Sequence, residues 1–555
     1  MLEVNNITID FASRRGDVRA ARNVSLTVER GEILGLVGES GAGKSTIGNA
    51  VMGLLESGGA VTKGSIMFEG ENLLDMDDSQ MRAVRGRRIS MIMQDPMTAL
   101  NPVKTIADQI TETISHNLGL NAKDAMQDAI NWLKKMDIPN PEERIHHYPH
   151  EFSGGQRQRI VIAMALCGKP DLVIADEPTT ALDVSVQAQI LQLIKKLVAE
   201  TNIGIILVTH NMGVVAEVTD RVAIMRYGEL VEIGPTSKIL SAPETDYAKM
   251  LIASVPPGDT KLHRLPVPTE DGTLPPAQAA THRDFDENDI ILKVKDLSIT
   301  YNPGGSMFSK SEPVRALQNL SFDLPRGASM GLVGESGSGK STCARGIIGL
   351  TPTSGGQVYF NGHEISAMSE KQRRPLRPAM QMIFQDPYSS LNKRMSILDI
   401  IAEPIRFYGL ANNRTEIEQQ VVSLLERVGL NGDALKRFPH QFSGGQRQRI
   451  AVARTLASKP ELIICDEPTS ALDVSVQAAV LNLIKDLQDE YNLSLLFISH
   501  DLPVVRQMCD DIIVLKQGQL VEMDQTDRIF DNPQADYTKE LIQLMPHMDD
   551  FKQAG

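Results

Sequence analysis

The sequence predicts an α/β fold built twice in tandem. Three observations carry that expectation: a glycine-rich loop present in two copies, apolar runs of strand length around each copy, and an internal repeat spanning most of the 555 residues. The first loop, Gly38-Glu39-Ser40-Gly41-Ala42-Gly43-Lys44-Ser45-Thr46, has the form G-x-x-x-x-G-K-[ST] and lies between the apolar run Ile33 to Val37 and a helix-forming segment. The run reads as a buried strand, and the glycines read as a turn whose backbone N–H groups point inward. A helix starting near Lys44 adds its positive dipole end, so that together they make a cradle for nucleotide phosphates. Lys44 is expected to bridge the β- and γ-phosphates and Ser45 to ligate Mg²⁺. The second copy, Gly334-Glu335-Ser336-Gly337-Ser338-Gly339-Lys340-Ser341-Thr342, removes the reading of a Gly/Ser turn that matches by chance.

The repeat is visible by subtraction. Phe11 and Tyr301, Ser153 and Ser443, Asp176 and Asp466, and His210 and His500 each stand 290 residues apart, whereas the loop lysines Lys44 and Lys340 stand 296 apart. The second half therefore gains six residues before its loop, between Asn302 and Glu312, and loses them again before Ser443.

In the first half, Leu2 to Asp10 and Val24 to Val28 alternate apolar and polar residues, as half-buried strands of an antiparallel layer do. Ala99 to Ala165 reads mostly as helix, with apolar spacing at Ile106, Ile110 and Ile114 and at Met126, Ile130 and Leu133. Leu172 to Ala175 and Ile203 to Val208 are continuous apolar runs, the pattern of strands buried on both faces of a parallel sheet. From Pro257 to Asp289 the pattern gives way to five prolines and polar residues, which reads as a linker of 33 residues, able to reach about 110 Å when extended. The domains are thus expected at 1–256 and 290–555, each closing on a similar tail, Pro243-Glu244-Thr245-Asp246-Tyr247-Ala248-Lys249 and Pro533-Gln534-Ala535-Asp536-Tyr537-Thr538-Lys539.

Bulk properties narrow the classes. A hydrophobic content of 42% supports two ordinary cores. The net charge of −14 and a pI near 5.4 argue against nucleic acid as the main partner. There is no basic leader with an apolar core and no run of about 18 apolar residues, so the chain is expected to be neither exported nor membrane-spanning. Cys167, Cys343, Cys465 and Cys509 are isolated and suit buried thiols rather than a metal or disulfide framework. His146, His147 and His150 cluster, but the matching stretch of the second half, Lys436-Arg437-Phe438-Pro439-His440, could not ligate a metal in the same way.

Carboxylates and a second glycine motif complete the chemistry. Asp176 ends an apolar run where a strand delivers it to the phosphate loop, suitable for holding Mg²⁺, and Glu177 beside it can polarise an attacking water. Alone the pair could be a helix-capping element, but Asp466-Glu467 repeats it beside the second loop. Ser153-Gly154-Gly155-Gln156 and Ser443-Gly444-Gly445-Gln446 each set a hydroxyl and two glycines before a helix, a second phosphate-binding device.

These motifs resemble the nucleotide-binding domains of ABC ATPases, twice over, each with an antiparallel β subdomain and a helical subdomain. The resemblance implies that Gly38 to Thr46 and Gly334 to Thr342 are Walker A loops, Ser153 to Gln156 and Ser443 to Gln446 signatures, and Asp176 and Asp466 Walker B acids. It makes Glu177 and Glu467 the catalytic bases, Asp183 a D-loop residue, and His210 and His500 the switches that contact the γ-phosphate. By the same resemblance Gln94 and Gln385 would be the Q-loop glutamines, with both a catalytic and a Mg²⁺-binding role. Phe11 and Tyr301 would stack on adenine. ATP and Mg²⁺ are the cofactors so implied. Each ATP site is expected to be composite, joining the phosphate loop of one half to the signature of the other.

A narrower similarity rests on Gln94-Asp95-Pro96-Met97-Thr98-Ala99-Leu100-Asn101-Pro102, on Gln385 to Asn392, and on the Asp-Tyr-x-Lys tails. It points to the dipeptide/oligopeptide/nickel importer ATPases, in the fused form of the microcin and glutathione importer branches. That implies a peripheral ATPase at the cytoplasmic face of the inner membrane, two permease subunits, an indirect partnership with a solute-binding protein, and no membrane contact of its own. An iron–sulfur cluster known in some relatives is not carried over, because no cysteine lies in the tails. The alternative, a soluble twin-cassette ATPase acting on ribosomes or DNA, would be expected to bring basic arms, a charged helical linker or zinc cysteines, which the sequence lacks.

Overall fold

The computed structural model describes all residues except 13–15, 180, 181, 183, 269–272, 281, 282, 284, 302–312, 471 and 546–555. Asp183 and the stretch from Asn302 to Glu312 thus lie outside the described residues. Two compact units form, 1–252 and 253–545.

In the first unit, Leu2–Phe11 pairs antiparallel with Val18–Val28 on one side and with Gly59–Phe68 on the other, and Glu71–Asn72 extends the layer. Leu2, Val4, Ile7 and Ile9 face inward and Glu3 and Asn5 outward, the alternation expected of a half-buried sheet. Beside it stands a six-stranded sheet in the order Glu229–Pro235, Arg221–Arg226, Ile33–Val37, Gly204–Thr209, Leu172–Asp176 and Ile89–Ile92, parallel except at its first pair. Every residue of Ile33–Val37, Leu172–Asp176 and Gly204–Thr209 is buried, which is why their sequences read as unbroken apolar runs. The second unit repeats both sheets with the same neighbours, its loop strand Ser329–Val333 lying between Ser494–Ile498 and Asp511–Lys516.

A helical layer holds Ile106–Leu118, Ala122–Lys135 and Gly154–Leu166. The first helix buries Ile106, Ile110 and Ile114 as its spacing predicts. The second turns its core face by one position: Ala125, Ala129, Trp132 and Leu133 are buried, whereas Met126 and Ile130 are only partly covered. Small alanines let this helix approach Ile106–Leu118 closely, and bulky side chains move to the flank. All four cysteines are free and buried, and burial pushes the Cys167, Cys343 and Cys465 thiols up to about 12, as suits packing groups.

The segment 257–289, read as a linker, has its described residues fastened to the second unit. Leu262 and Leu265 enter that unit's core. The Gln507 side chain donates to Pro257 O and Thr260 O and accepts from Leu262 N, at 3.0, 2.7 and 2.7 Å. Asn482 brackets Leu265 through its N and O, and Arg264 pairs with Asp486 and Asp489. Beyond one antiparallel bridge within the segment, Leu262–Ala279, its backbone bonds at Pro257, Thr260 and Leu265 go to side-chain amides. That satisfies a proline-rich backbone without giving it any apolar periodicity.

Candidate functional site

Strand register assembles the site. Val37 is opposite Thr209, Asp176 is opposite Val208, and Ile92 is opposite Ala175, so four adjacent strands end at one edge. The residues that follow those ends are Gly38, Glu177, His210 and, two places on, Gln94. In the second unit the same register delivers Gly334, Glu467, His500 and Gln385. Loops at the carboxyl ends of parallel strands are where open α/β sheets bind ligands.

The loop from Gly38 to Thr46 turns back on the start of the helix Lys44–Val51, with Gly43 in the left-handed region at φ 94° as its N-cap. Gly38 (φ 149°) passes so close to the neighbouring strand that a Cβ there would lie 2.2 Å from Met225 O. Lys44 is buried, and its Nζ donates to Gly38 O and Glu39 O at 2.7 and 3.0 Å. Lys340 does the same to Gly334 O and Glu335 O at 2.7 and 2.9 Å. Ser45 Oγ donates to Asp176 Oδ1 at 2.9 Å, and Ser341 Oγ to Asp466 Oδ1 at the same distance.

Glu177 is held from both sides: Gln94 Nε2 donates to Oε2 at 2.7 Å, and His210 Nδ1 lies 3.0 Å from Oε1. Glu467 has the same partners in Gln385 at 2.8 Å and His500 at 3.1 Å. Both glutamates take a left-handed backbone, φ 47° and 48°, a conformation that costs a residue with a Cβ and persists where the surroundings over-determine it. Burial pushes Asp176 and Asp466 above the usual carboxylate range, against the serine hydroxyl bonds, and the charge of the adjacent glutamate adds to it. Burial also pushes Glu467 upward, but the His500 bond and charge, Lys340 and Gln385 outweigh it and leave Glu467 below its ordinary value. In the second half Glu467 is thus held below its ordinary value beside an Asp466 that burial holds above its own.

The signature residues form a cap. Ser153 Oγ accepts from Gln156 N at 3.3 Å and Gln156 Oε1 accepts from Ser153 N at 3.2 Å, and Ser443 and Gln446 repeat the box at 3.3 and 3.1 Å. The two glycines differ in purpose. A Cβ on Gly155 would lie 2.7 Å from Val186 and one on Gly445 2.1 Å from Val476, so these positions serve helix packing, whereas Gly154 has open space and Gly444 meets only Leu472 at 3.6 Å. Phe11 and Tyr301 end the first strands of the antiparallel sheets; the Phe11 ring rests against Gly59, and Tyr301 is 41% exposed. Of the remaining loop residues, Ser40 and Gly41 are exposed and Ala42 is buried, while Thr46, Ser336, Gly337, Ser338, Gly339 and Thr342 follow the same course in both copies. His150 stacks on Tyr148 and His440 on Phe438, giving the histidine cluster a packing role common to both halves.

Sequence reasoning missed the strain at Glu177 and Glu467, which no local pattern announces. It also assigned no role to Tyr247 and Tyr537, although both recur at the 290-residue offset; both are buried beside the loops' strands.

A family model described as ABC transporter matches residues 21–180 and 317–470. This chain belongs to the ABC transporter family. It is an ATP-hydrolysing member with two tandem ABC domains. A second model, described as the C-terminal region of oligopeptide/dipeptide transporters, matches 231–281 and 521–554, the two tails. The chain is 44% identical over 562 residues to the glutathione import ATP-binding protein GsiA of Salmonella paratyphi A, covering 99% of this chain and 90% of that protein. It is 42% identical over 558 residues to the protein of the same name from Escherichia coli K12, covering 98% and 89%.

Proposed function

We propose that this chain is the engine of an importer for peptides or peptide-like solutes. It would work at the cytoplasmic face of the inner membrane as a peripheral subunit held by two permease subunits, with a solute-binding protein delivering the cargo. The observation that carries the reading is the glutamate clamped between Gln and His beside a Ser–Asp pair, built twice in a chain whose two tails both match the oligopeptide/dipeptide transporter region. The relatives named for glutathione import support a peptide-like cargo. The same tails count against a soluble ATPase acting on ribosomes or DNA.

Lys44 and the loop amides would bind and orient the phosphates, and Lys340 would do so in the second half. Among the described residues no group of three His, Cys, Asp or Glu side chains could hold a metal by itself. Ser45 with Asp176, and Ser341 with Asp466, fit a Mg²⁺ that takes its other ligands from phosphate and water, and Gln94 and Gln385 stand at the same edge. That cation would supply charge to the phosphate oxygens. Glu177, steered by Gln94 and His210, accepts the proton of the attacking water; Glu467, kept below its ordinary pKa, is ionised at neutral pH and ready for the same task. Ser153, Gly154 and Gly155, and Ser443, Gly444 and Gly445, would serve as a further phosphate-binding element.

Among the described residues no helix is long and apolar enough to cross a membrane. Membrane attachment is therefore expected to require the permeases. Coexpression followed by membrane flotation checks this: the chain should float with vesicles that carry both permeases and stay at the bottom with vesicles that carry none. Equal flotation in both cases would overturn the peripheral reading.

A further inference from the structure

We propose that Tyr537, in the second tail, is a positioning residue for the phosphate loop, so that the oligopeptide-type tail reaches into the ATP site. Tyr537 stands on the helix Asp536–Gln543, is 8% exposed, and its hydroxyl accepts from the backbone N–H of Glu335 at 3.3 Å. Glu335 is the second residue of the loop, and its carbonyl is one of the two acceptors of Lys340. The loop is thus gripped at one residue from two directions, from inside by its own lysine and from outside by the tail.

The two grips respond differently to nucleotide. An ammonium shared with phosphate oxygens has less to give to Gly334 O and Glu335 O, because three donors must then serve additional acceptors. The tyrosine bond uses the Glu335 N–H, on the edge of the trans peptide opposite the Gly334 carbonyl that Lys340 takes, and so does not draw on the ammonium. It therefore keeps the rising limb of the loop in place when the lysine turns to its substrate.

The tyrosine is itself held by the strands that border the loop. Lys516 Nζ lies 4.1 Å from the centre of its ring, and the preceding residue, Leu515, presents the carbonyl that a Cβ on Gly334 would approach to 2.1 Å. Glu522, on the next strand, accepts from Gln534 N and Ala535 N at 2.8 and 3.1 Å and so fixes the start of the tail helix. The first half repeats the frame: Tyr247 is 5% exposed, Arg226 lies 4.5 Å from its ring centre, and Glu232 accepts from Glu244 N and Thr245 N at 2.9 and 3.0 Å.

The inference rests on the ATP reading above, and the test separates the two. In the full chain carrying Lys44→Ala, which confines phosphate binding to the second loop, MgATP affinity is measured by calorimetry and amide exchange across 329–340 by mass spectrometry without nucleotide. Tyr537→Phe keeps the ring on Lys516 and removes the hydroxyl that accepts from Glu335 N. The expected result is a two- to tenfold rise in Kd, of about the size one hydrogen bond to a backbone amide contributes, with faster exchange at Glu335 and unchanged exchange in the helix 536–543. An unchanged Kd, or unchanged exchange at Glu335, would overturn the proposal; faster exchange throughout the tail helix would also overturn it, as a merely structural role. If the Lys44→Ala parent binds no MgATP, the ATP reading fails, and this inference with it.

Discussion

Replacing Glu177 and Glu467 together by Gln is expected to lower MgATP turnover by about a hundred- to ten-thousandfold while leaving ATP affinity near that of the parent. The amide matches the carboxylate in size, so the left-handed backbone at these positions and the neighbouring Ser45–Asp176 and Ser341–Asp466 pairs can stay as they are. What is lost is the group that can take a proton from water, and with it the carboxylate partner of His210 and of His500. The lysines and loop amides that would hold the phosphates are untouched. Steady-state hydrolysis and equilibrium binding, measured on the same preparation, check both halves of the statement. Turnover near the parent rate would remove the glutamates from the base role.

A second large effect is expected at the last glycine of each loop. In Gly43→Ala combined with Gly339→Ala, the new methyl groups would lie 2.4 Å from Ala20 O and 2.5 Å from Ala316 O, and both sites have φ near 100°. Backbone carbonyls inside a sheet cannot give way. Affinity for MgATP should fall by about a hundredfold or more at each site, since backbone strain and overpacking each cost on the order of 1–3 kcal/mol. Gly41→Ala combined with Gly337→Ala is the matched control: φ is 79° and 75°, but no atom lies within 4 Å of the added Cβ. Only the left-handed penalty of roughly 1–2 kcal/mol remains, and affinity should stay within about thirtyfold of the parent. Binding titrations on the two double variants decide the order, and equal losses would contradict the steric account.

The features legible in the sequence were those written in short-range pattern. Ile33 to Val37 and Leu172 to Ala175 announce buried parallel strands because both faces are covered, and the loop announces itself because its glycines and lysine occupy fixed offsets. Asp176, Glu177 and His210 could be picked out because they follow such strands directly, although only strand register brings them to one edge with Gly38. Other features depend on partners far away in the chain. The face of Ala122–Lys135 was misjudged by one position because alanine gives no apolar signal, yet close helix contact favours it. The attachment of 257–289 was invisible because Gln507 and Asn482 hold its backbone, and hydrogen bonds to a main chain leave no periodicity in its side chains. Tyr537 stood in a recognisable tail, but its link to Glu335 crosses 202 residues.

Uptake of a labelled peptide tests the central claim most directly. Cells lacking the gene for this chain would be given back either the parent chain or the chain carrying Glu177→Gln and Glu467→Gln, and accumulation of labelled di- and tripeptides, glutathione among them, would be followed. The account predicts that the parent restores uptake of at least one peptide-like solute and that the double variant, present at the same level on the membrane, restores none. Uptake restored equally by both chains, or by neither for every peptide-like solute tried, would contradict it.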